Sequence, residues 1–490
     1  MGIPREGWEK ERVYAALEDH RKDDLSWRSG RAFAYIYDGG PSIDEVAKKA
    51  FVAYLSENGL DPTAFRSLLK FENELIEMAR DHLHGDENVM GTFTSGGTES
   101  IILAVKAARD HAKATRGVQQ AEMIVPLTAH AAFHKAGHYL GVKVITTGVD
   151  PKSFRADVAE ISAAITPNTV LIVGSASGYA HGVVDPIREI AALASSKNIL
   201  CHVDGCIGGF LLPYFARLGA KVPDFDFRVP GVTSISMDFH KYALTPKGAS
   251  CVLYRSDDVR RAQFFVCSSW AGYTMINPTI QSSKSGGPLA AAWAVVHHVG
   301  DNGYMKIAKG LLDARDALVT GINDIPGLSV MGEPEMALIA FTSDEVPVFV
   351  LADAMKARGW HIQPQLAYGP SKENLHLTIN PSNVRWTEDF LKDLREATAD
   401  VKKSASEFEG TLAFAKMFAD KLTGPDAAAM LPTISESLGV SGEGKMPEKM
   451  AEINAILNAL PRPLQEQLLV HFVSKLFTPS AGEPSTSGNR

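Results

Sequence analysis

Cysteine is scarce, with four in 490 residues, at positions 201, 206, 251 and 267. Four are too few for a disulfide scaffold. The C-x4-C spacing of Cys201 and Cys206 has no second pair to complete a zinc ribbon. Free thiols in a reducing compartment, and hence a cytoplasmic protein, are expected. Excess charge of one sign is also lacking. Lys and Arg total 49 against 57 Asp and Glu, a net −8, which leaves no electrostatic footprint for nucleic acid or an anionic membrane. No run approaches the ~18 uninterrupted apolar residues of a membrane span. The opening MGIPREGWEKERVYAALEDH is charged and has no apolar stretch, so no secretory signal is expected there. The residues after Gly2 do not fit myristoylation. What remains is ordinary. The chain is 45% hydrophobic and 22% charged, ample for a sizeable core, and its length suggests about three domains.

Residues 8–22, 42–57 and 66–84 have helical apolar spacing, and Ser42 with Glu45 reads as a capping box. From residue 90 onward short β-rich runs alternate with helical stretches: MIVPL 123–127, KVITTG 143–148, TVLIVGS 169–175, ILCHVDG 199–205, SISMD 234–238 and SCVLYR 250–255. This alternation predicts a mainly parallel sheet covered by helices, with ligands at the carboxyl ends of the strands. The expected division is a helical segment at 1–60, a large α/β domain at 61–310 and a smaller α/β domain at 311–403. A helical extension at 404–477 and a Ser/Pro/Gly-rich, disordered tail at 478–490 complete it.

Four stretches carry chemistry. In TSGGTES (94–100) a Gly-rich turn feeds a helix; it reads either as a phosphate cradle or as a Ser/Thr-capped turn. No Lys follows the glycines, so it is not a Walker loop. Asp204 ends an apolar strand and could be a metal ligand, a charge partner or a loop cap. Lys241 follows Asp238, Phe239 and His240 at another strand end. It reads either as a surface lysine or as an amine of lowered pKa able to form a Schiff base. His130, His134 and His138 lie four apart, as on one helix face, but no acidic residue stands between them in the H-E-x-x-H manner, and no metal is expected. Together, a cradle, a strand-end Asp and a strand-end Lys are what pyridoxal 5'-phosphate requires. The cradle holds its phosphate, the carboxylate keeps its ring nitrogen protonated, and the lysine carries it.

The stretches TSGGTESI 94–101, AHAAFHKAGHYLG 129–141, GYAHGVVDPI 178–187, HVDGCIGGFLLP 202–213, SISMDFHKYALTPKGASCVLYR 234–255 and SGGPLAAAWA 285–294 resemble the group II pyridoxal-phosphate decarboxylases. Within them they resemble the sphingosine-1-phosphate lyase branch, from about residue 30 to about 400. The resemblance implies the aspartate-aminotransferase-like fold (fold type I) and a homodimer with shared active sites. It makes Lys241 the Schiff-base lysine, Asp204 the partner of the ring nitrogen and His130 the stacked imidazole. Gly96, Gly97 and Thr98 become the phosphate cradle, and His240 a further cofactor contact. Ser285 and Gly286 match a loop reaching the neighbouring subunit's cofactor. Tyr179 matches a tyrosine near the reacting atoms, Lys247 a lysine that binds substrate phosphate, and Tyr37 another active-site tyrosine. Two departures touch the substrate side. Asp61 stands where the lyases have a phosphate-binding His, and Tyr273 is displaced by two positions. The residues beyond about 405 fall outside the resemblance. It implies retro-aldol cleavage of a phosphorylated β-hydroxy amine, with L-amino-acid decarboxylation as the alternative. Tyr179, His130 and Lys241 are the candidates for proton transfer.

Overall fold

The computed structural model describes residues 2–403 and 449–478. The helices expected over 404–448 and the tail from 479 lie outside the described residues.

Seven strands form the central sheet: β1 (Met90–Thr94), β2 (Glu122–Pro126), β3 (Lys143–Thr147), β4 (Thr169–Ser175), β5 (Leu200–Asp204), β6 (Ser234–Asp238) and β7 (Ser250–Tyr254). Their order is β1-β7-β6-β5-β4-β2-β3. Only β7 runs against its neighbours. β4, β6 and β7 are buried along their whole length, as their near-continuous apolar runs require of strands covered on both faces. Alternation along β4 divides the core: Ile172 joins one apolar cluster, Leu171 and Val173 another. The helix Gly97–Arg116 packs on β4, β6 and β7, and Gly208–Arg217 packs on β6.

The register places the chemistry. Ser175 on β4 is level with Asp204 on β5, and Asp204 with Ser236 on β6. Asp238 therefore projects one strand repeat further at the same carboxyl-terminal edge.

A hairpin, β8 (Phe265–Cys267) and β9 (Met275–Asn277), leaves the sheet. A second, antiparallel sheet comprises β10 (Ser329–Val330), β11 (Leu338–Thr342), β12 (Gln363–Gln365) and β13 (Asn374–Thr378), in the order β10-β11-β13-β12. Helix Val348–Ala357 and helical residues 387–403 accompany it.

Several expectations need correction. The boundary at 310/311 falls inside one helix, Gly286–Asn323, broken only at Gly300, where φ is 61°. Residues 1–60, expected as a helical segment, carry helices Lys10–His20 and Pro41–Ala53 and also an extended stretch that docks on the small sheet. Phe33 exchanges backbone hydrogen bonds with His361 and Thr378, and its ring packs on Trp360 and Phe390. The helix Lys10–His20 buries none of its residues. Ser42 caps nothing. Gly40, at φ 86°, is the N-cap and Pro41 opens the helix, so Ser42 sits in the first turn and bonds His298 instead. β1, β8, β9 and β12 were not anticipated. Among the described residues no helix is long and apolar enough to cross a membrane.

Candidate active site

The carboxyl ends of β1, β4, β5 and β6 enclose a cavity of about 380 Å³, lined by Gly96, Gly97, Thr98, His130, Ser175, Ser177, Tyr179, Asp204, Cys206, Asp238, His240 and Lys241. The 20-residue helix Gly97–Arg116 begins at its wall with no side-chain cap. Its first N–H groups and the positive end of its dipole are thus available to an anion. The glycine at 97 is required by space: a Cβ there would stand 2.7 Å from Cys206 Sγ and 3.0 Å from both Asp238 oxygens. Glu99, buried, accepts from the Ser95 N–H at 2.6 Å and the Ile280 N–H at 2.8 Å, fixing this turn.

Asp204 Oδ1 accepts from the Cys206 N–H at 3.0 Å and the Ser236 hydroxyl at 3.4 Å. Lys241 Nζ lies 2.9 Å from Asp238 Oδ2, and His240 Nε2 lies 3.5 Å from the same oxygen. Burial alone would lower the Lys241 pKa. The Asp238 carboxylate, followed by Cys206 and Tyr37, overrides it and holds the amine above its ordinary value. The lowered pKa expected from sequence is thereby corrected: a buried carboxylate outweighs desolvation. Burial would raise Asp238, but Lys241 and then His240 hold it low. Burial pushes His240 down. Its Nδ1 accepts the Ala249 N–H at 3.3 Å, which puts the neutral ring's proton on Nε2, facing Asp238.

These residues fit pyridoxal phosphate on an observation internal to the chain. The hydroxyls of Ser175 and Ser177 and Asp238 Oδ1 are buried yet have no hydrogen-bond partner among the described residues. Ser175, Ser177 and Asp238 all line the cavity. Buried polar groups of this kind are ordinarily satisfied, and a polar ring would satisfy them.

His130 lies on the cavity wall, and its Nδ1 accepts the Ala132 N–H at 3.1 Å. It precedes the helix Ala132–Leu140 that carries His134 and His138, so the three do not share a face. Among the described residues no group of three or more His, Cys, Asp or Glu is placed to hold a metal. Tyr179 donates to Gln363 Oε1 at 2.7 Å, and burial raises its pKa. Tyr37 reaches the site from the N-terminal segment and packs edge-on against Tyr242 at 5.0 Å. Burial raises its pKa, with Lys241 the main opposing charge. Lys247 stands over the Tyr37 ring at 4.7 Å and points at the His240 carbonyl, 3.4 Å away. Lys247 is exposed overall, yet its amine is packed closely enough that desolvation, then the charge of Lys241, pushes its pKa down to about 8. Tyr37, His240 and Lys247 border a neighbouring cavity of about 390 Å³.

Besides Tyr37 and Lys247, four more expected site residues lie outside this cavity in the single chain. Asp61 and Tyr273 border a separate cavity of about 750 Å³. Asp61 is spent on a local turn, accepting from the Thr63 N–H and hydroxyl at 2.8 and 2.6 Å. Ser285 caps the helix that starts at Gly286, and the Gly286 N–H donates to Glu57 O at 2.8 Å. Sequence reasoning missed Ser175, Ser177, Cys206 and Gln363 as site residues. The strand-end position of Ser175 was the one signal that could have found any of them.

Comparison with known proteins agrees with this geometry. The pyridoxal-dependent decarboxylase conserved domain matches residues 47–344. A second family, described as a C-terminal putative HTH domain of pyridoxal-dependent enzymes, matches 409–475 and so accounts for the extension. The sphingosine-1-phosphate lyase of Arabidopsis thaliana is 39% identical over 82% of this chain and 74% of its own length. That of Rattus norvegicus is 36% identical over 82% and 70%. The solved sphingosine-1-phosphate lyase of Burkholderia pseudomallei superposes with a TM-score of 0.79 at 34% identity, covering 87% of this chain and 97% of that one. The Lactobacillus brevis glutamate decarboxylase, at 20% identity and a TM-score of 0.72, shares the fold. The chain therefore belongs to the pyridoxal-dependent decarboxylase family and, within it, to the sphingosine-1-phosphate lyase branch, as a pyridoxal-phosphate-dependent lyase of fold type I.

Proposed function

We propose that this enzyme cleaves the Cα–Cβ bond of a phosphorylated β-hydroxy amine of the sphingosine-1-phosphate kind, giving an aldehyde and an amine phosphate. The observation that carries the reading is the placement of Lys247. Its ammonium stands beside Tyr37 and His240 at the edge of the Lys241 cavity, where a cation can hold a substrate phosphate. Pyridoxal phosphate, when bound, supplies the electron sink for the broken bond. The chain's own residues do the rest. Asp204 would hold a proton at the ring nitrogen, and the Gly96–Thr98 turn would hold the cofactor phosphate through N–H groups. His130, on the cavity wall, would contact the ring. Lys241 would anchor the cofactor, and its free amine can carry a proton at Nζ. Tyr179 Oη meets the β-hydroxyl. Asp61 does not oppose this reading within one chain, because its carboxylate is engaged by Thr63.

The working unit is a homodimer. Phe265, Val266, Trp270, Tyr273 and Ile276, on and between the strands of the β8–β9 hairpin, are exposed, and Ser285 and Gly286 lie off the chain's own cavity, as residues serving a neighbour would. Four free cysteines, three of them buried, fit a cytoplasmic location. Product analysis tests the function. Cofactor-loaded protein with sphingosine-1-phosphate is expected to yield long-chain aldehyde, lost in Lys241→Ala. Carbon dioxide from an L-amino acid without aldehyde would overturn the reading. Sedimentation showing only monomer would remove the dimer.

A further inference from the structure

Tyr179 is held by an arrangement of the small sheet that the reaction does not by itself demand. Gln363 on β12 and His376 on β13 are directly opposite each other in the antiparallel register, so their side chains share one face of the sheet. Both meet Tyr179. Gln363 Oε1 accepts its hydroxyl proton at 2.7 Å, and the His376 ring stacks on its ring at 4.4 Å between centroids and 28° between planes. His376 is itself fixed. Its Nδ1–H donates to Ala180 O, the residue after Tyr179, at 3.1 Å, and its Nε2 accepts from Thr378 Oγ1 at 3.0 Å. A fully buried ring satisfied at both nitrogens in this way has one tautomer and one orientation.

We propose that Gln363 is a positioning residue that sets the hydrogen-bond direction of Tyr179. A phenol has one proton. With that proton committed to Gln363 Oε1, Tyr179 Oη is left as an acceptor: the Thr378 hydroxyl stands within hydrogen-bond reach of it, and its remaining lone pair receives the substrate's β-hydroxyl. His376 holds the ring plane while Gln363 holds the proton. The inference rests on the lyase reading above for its catalytic consequence, but the hydrogen bond itself exists without substrate.

The test uses the cofactor-loaded, full-length enzyme and the variants Gln363→Leu, Gln363→Glu, Tyr179→Phe and Gln363→Leu/Tyr179→Phe. Gln363→Leu is expected to lower kcat for aldehyde release roughly ten- to hundredfold with KM nearly unchanged. Gln363→Glu, which keeps an acceptor in place, should recover most of that loss. In the Tyr179→Phe background Gln363→Leu should cost nothing further, because the group it acts through is gone. Equal losses in both backgrounds, or a Glu variant as poor as Leu, would overturn the proposal. A second readout needs no substrate. The phenol C–O stretch of Tyr179, isolated as the infrared difference between wild type and Tyr179→Phe, should show a hydrogen-bond donor in wild type and in Gln363→Glu, and not in Gln363→Leu. If the donor signature is present in wild type and lost in Gln363→Leu while no aldehyde forms from any substrate, the positioning role stands and the lyase reading falls. A wild-type signature unchanged in Gln363→Leu removes the positioning role whatever the activity.

Discussion

Replacing Gly97 by alanine puts a methyl group into the tightest part of the cofactor cavity. The new Cβ would lie 2.7 Å from Cys206 Sγ and 3.0 Å from both oxygens of Asp238, where carbon contacts ordinarily settle at ~3.5–4.0 Å. Neither neighbour is free to retreat. Cys206 is buried and bonded to the Ser236 hydroxyl at 3.2 Å, and Asp238 is tied to Lys241 at 2.9 Å. Overpacking of this kind costs about 1–3 kcal/mol. Where the strain is relieved by pushing Cys206 and Asp238 into the cavity, it is expressed in cofactor binding, at 1.4 kcal/mol per tenfold, as a Kd weaker by up to roughly 150-fold. Helix propensity acts the other way, since alanine in a helix is favoured over glycine by up to ~1 kcal/mol. It offsets only part of the clash, so the thermal midpoint of the cofactor-free protein should fall modestly while cofactor affinity falls as well. Absorbance titration with pyridoxal phosphate reads the affinity. Two comparisons isolate the cause. In Gly96→Ala the new Cβ would meet only His240 Cε1, at 3.6 Å, so its loss should be far smaller. Adding Cys206→Ala to Gly97→Ala removes the sulfur and should restore most of the affinity. Wild-type affinity in Gly97→Ala, or no recovery on removing the sulfur, would refute the steric argument.

Three further outcomes follow from the same structure. Lys247→Met should raise KM for a phosphorylated substrate roughly tenfold or more, the loss of a charge-assisted contact, and leave an unphosphorylated analogue unaffected. Because its pKa is pushed down to about 8, wild-type binding of the phosphorylated substrate should weaken as pH rises through that value, and in Lys247→Arg this limb should disappear from the profile. The histidines 82, 181, 202 and 376 are each pushed by burial from 6.5 to about 4. The unfolded chain therefore takes up protons that the fold refuses, so stability is intact above pH ~6.5 and is lost as pH falls toward 4, by on the order of 1–2 kcal/mol per histidine at pH 5. Urea midpoints at pH 7 and pH 5 check this, and equal midpoints would contradict it. Phe33→Ala removes a ring that is 1% exposed and should cost about 3–5 kcal/mol. If the N-terminal segment is what delivers Tyr37, activity at temperatures where the variant is still folded should fall as well.

The cofactor half of the site was legible because it is built from short, contiguous pieces. Asp204 and Lys241 each sit at the end of an apolar strand, and a parallel sheet brings those ends together whatever the loops do. The glycine at 97 announces a close approach, and Cys206 and Asp238 are what approach it. Where contiguous signals misled, a stronger local term had won. Pro41 and a left-handed Gly40 start the second helix ahead of Ser42, and the chain bends at His130 before its helix begins.

The substrate half depends on pairings that no window of sequence contains. Tyr37 arrives because Ala32 bridges His361 in parallel and Phe33 is locked among Trp360 and Phe390, a contact between residues more than 300 positions apart. Tyr179 is oriented by Gln363, 184 residues away, through a register that is decided by the small sheet and not by either neighbourhood. Asp61, Tyr273, Ser285 and Gly286 are carried by loops and helix ends outside the Lys241 cavity, so within one chain they stand apart from the cofactor residues. This is why motif resemblance transfers the chemistry at Lys241 with little risk while the specificity does not transfer with it. The cradle and the strand ends are constrained by the backbone register of the sheet itself. The candidate substrate residues Tyr37, Tyr179 and Tyr273 are set by the packing of the small sheet, the N-terminal segment and the hairpin, each of which can shift without disturbing the strand ends.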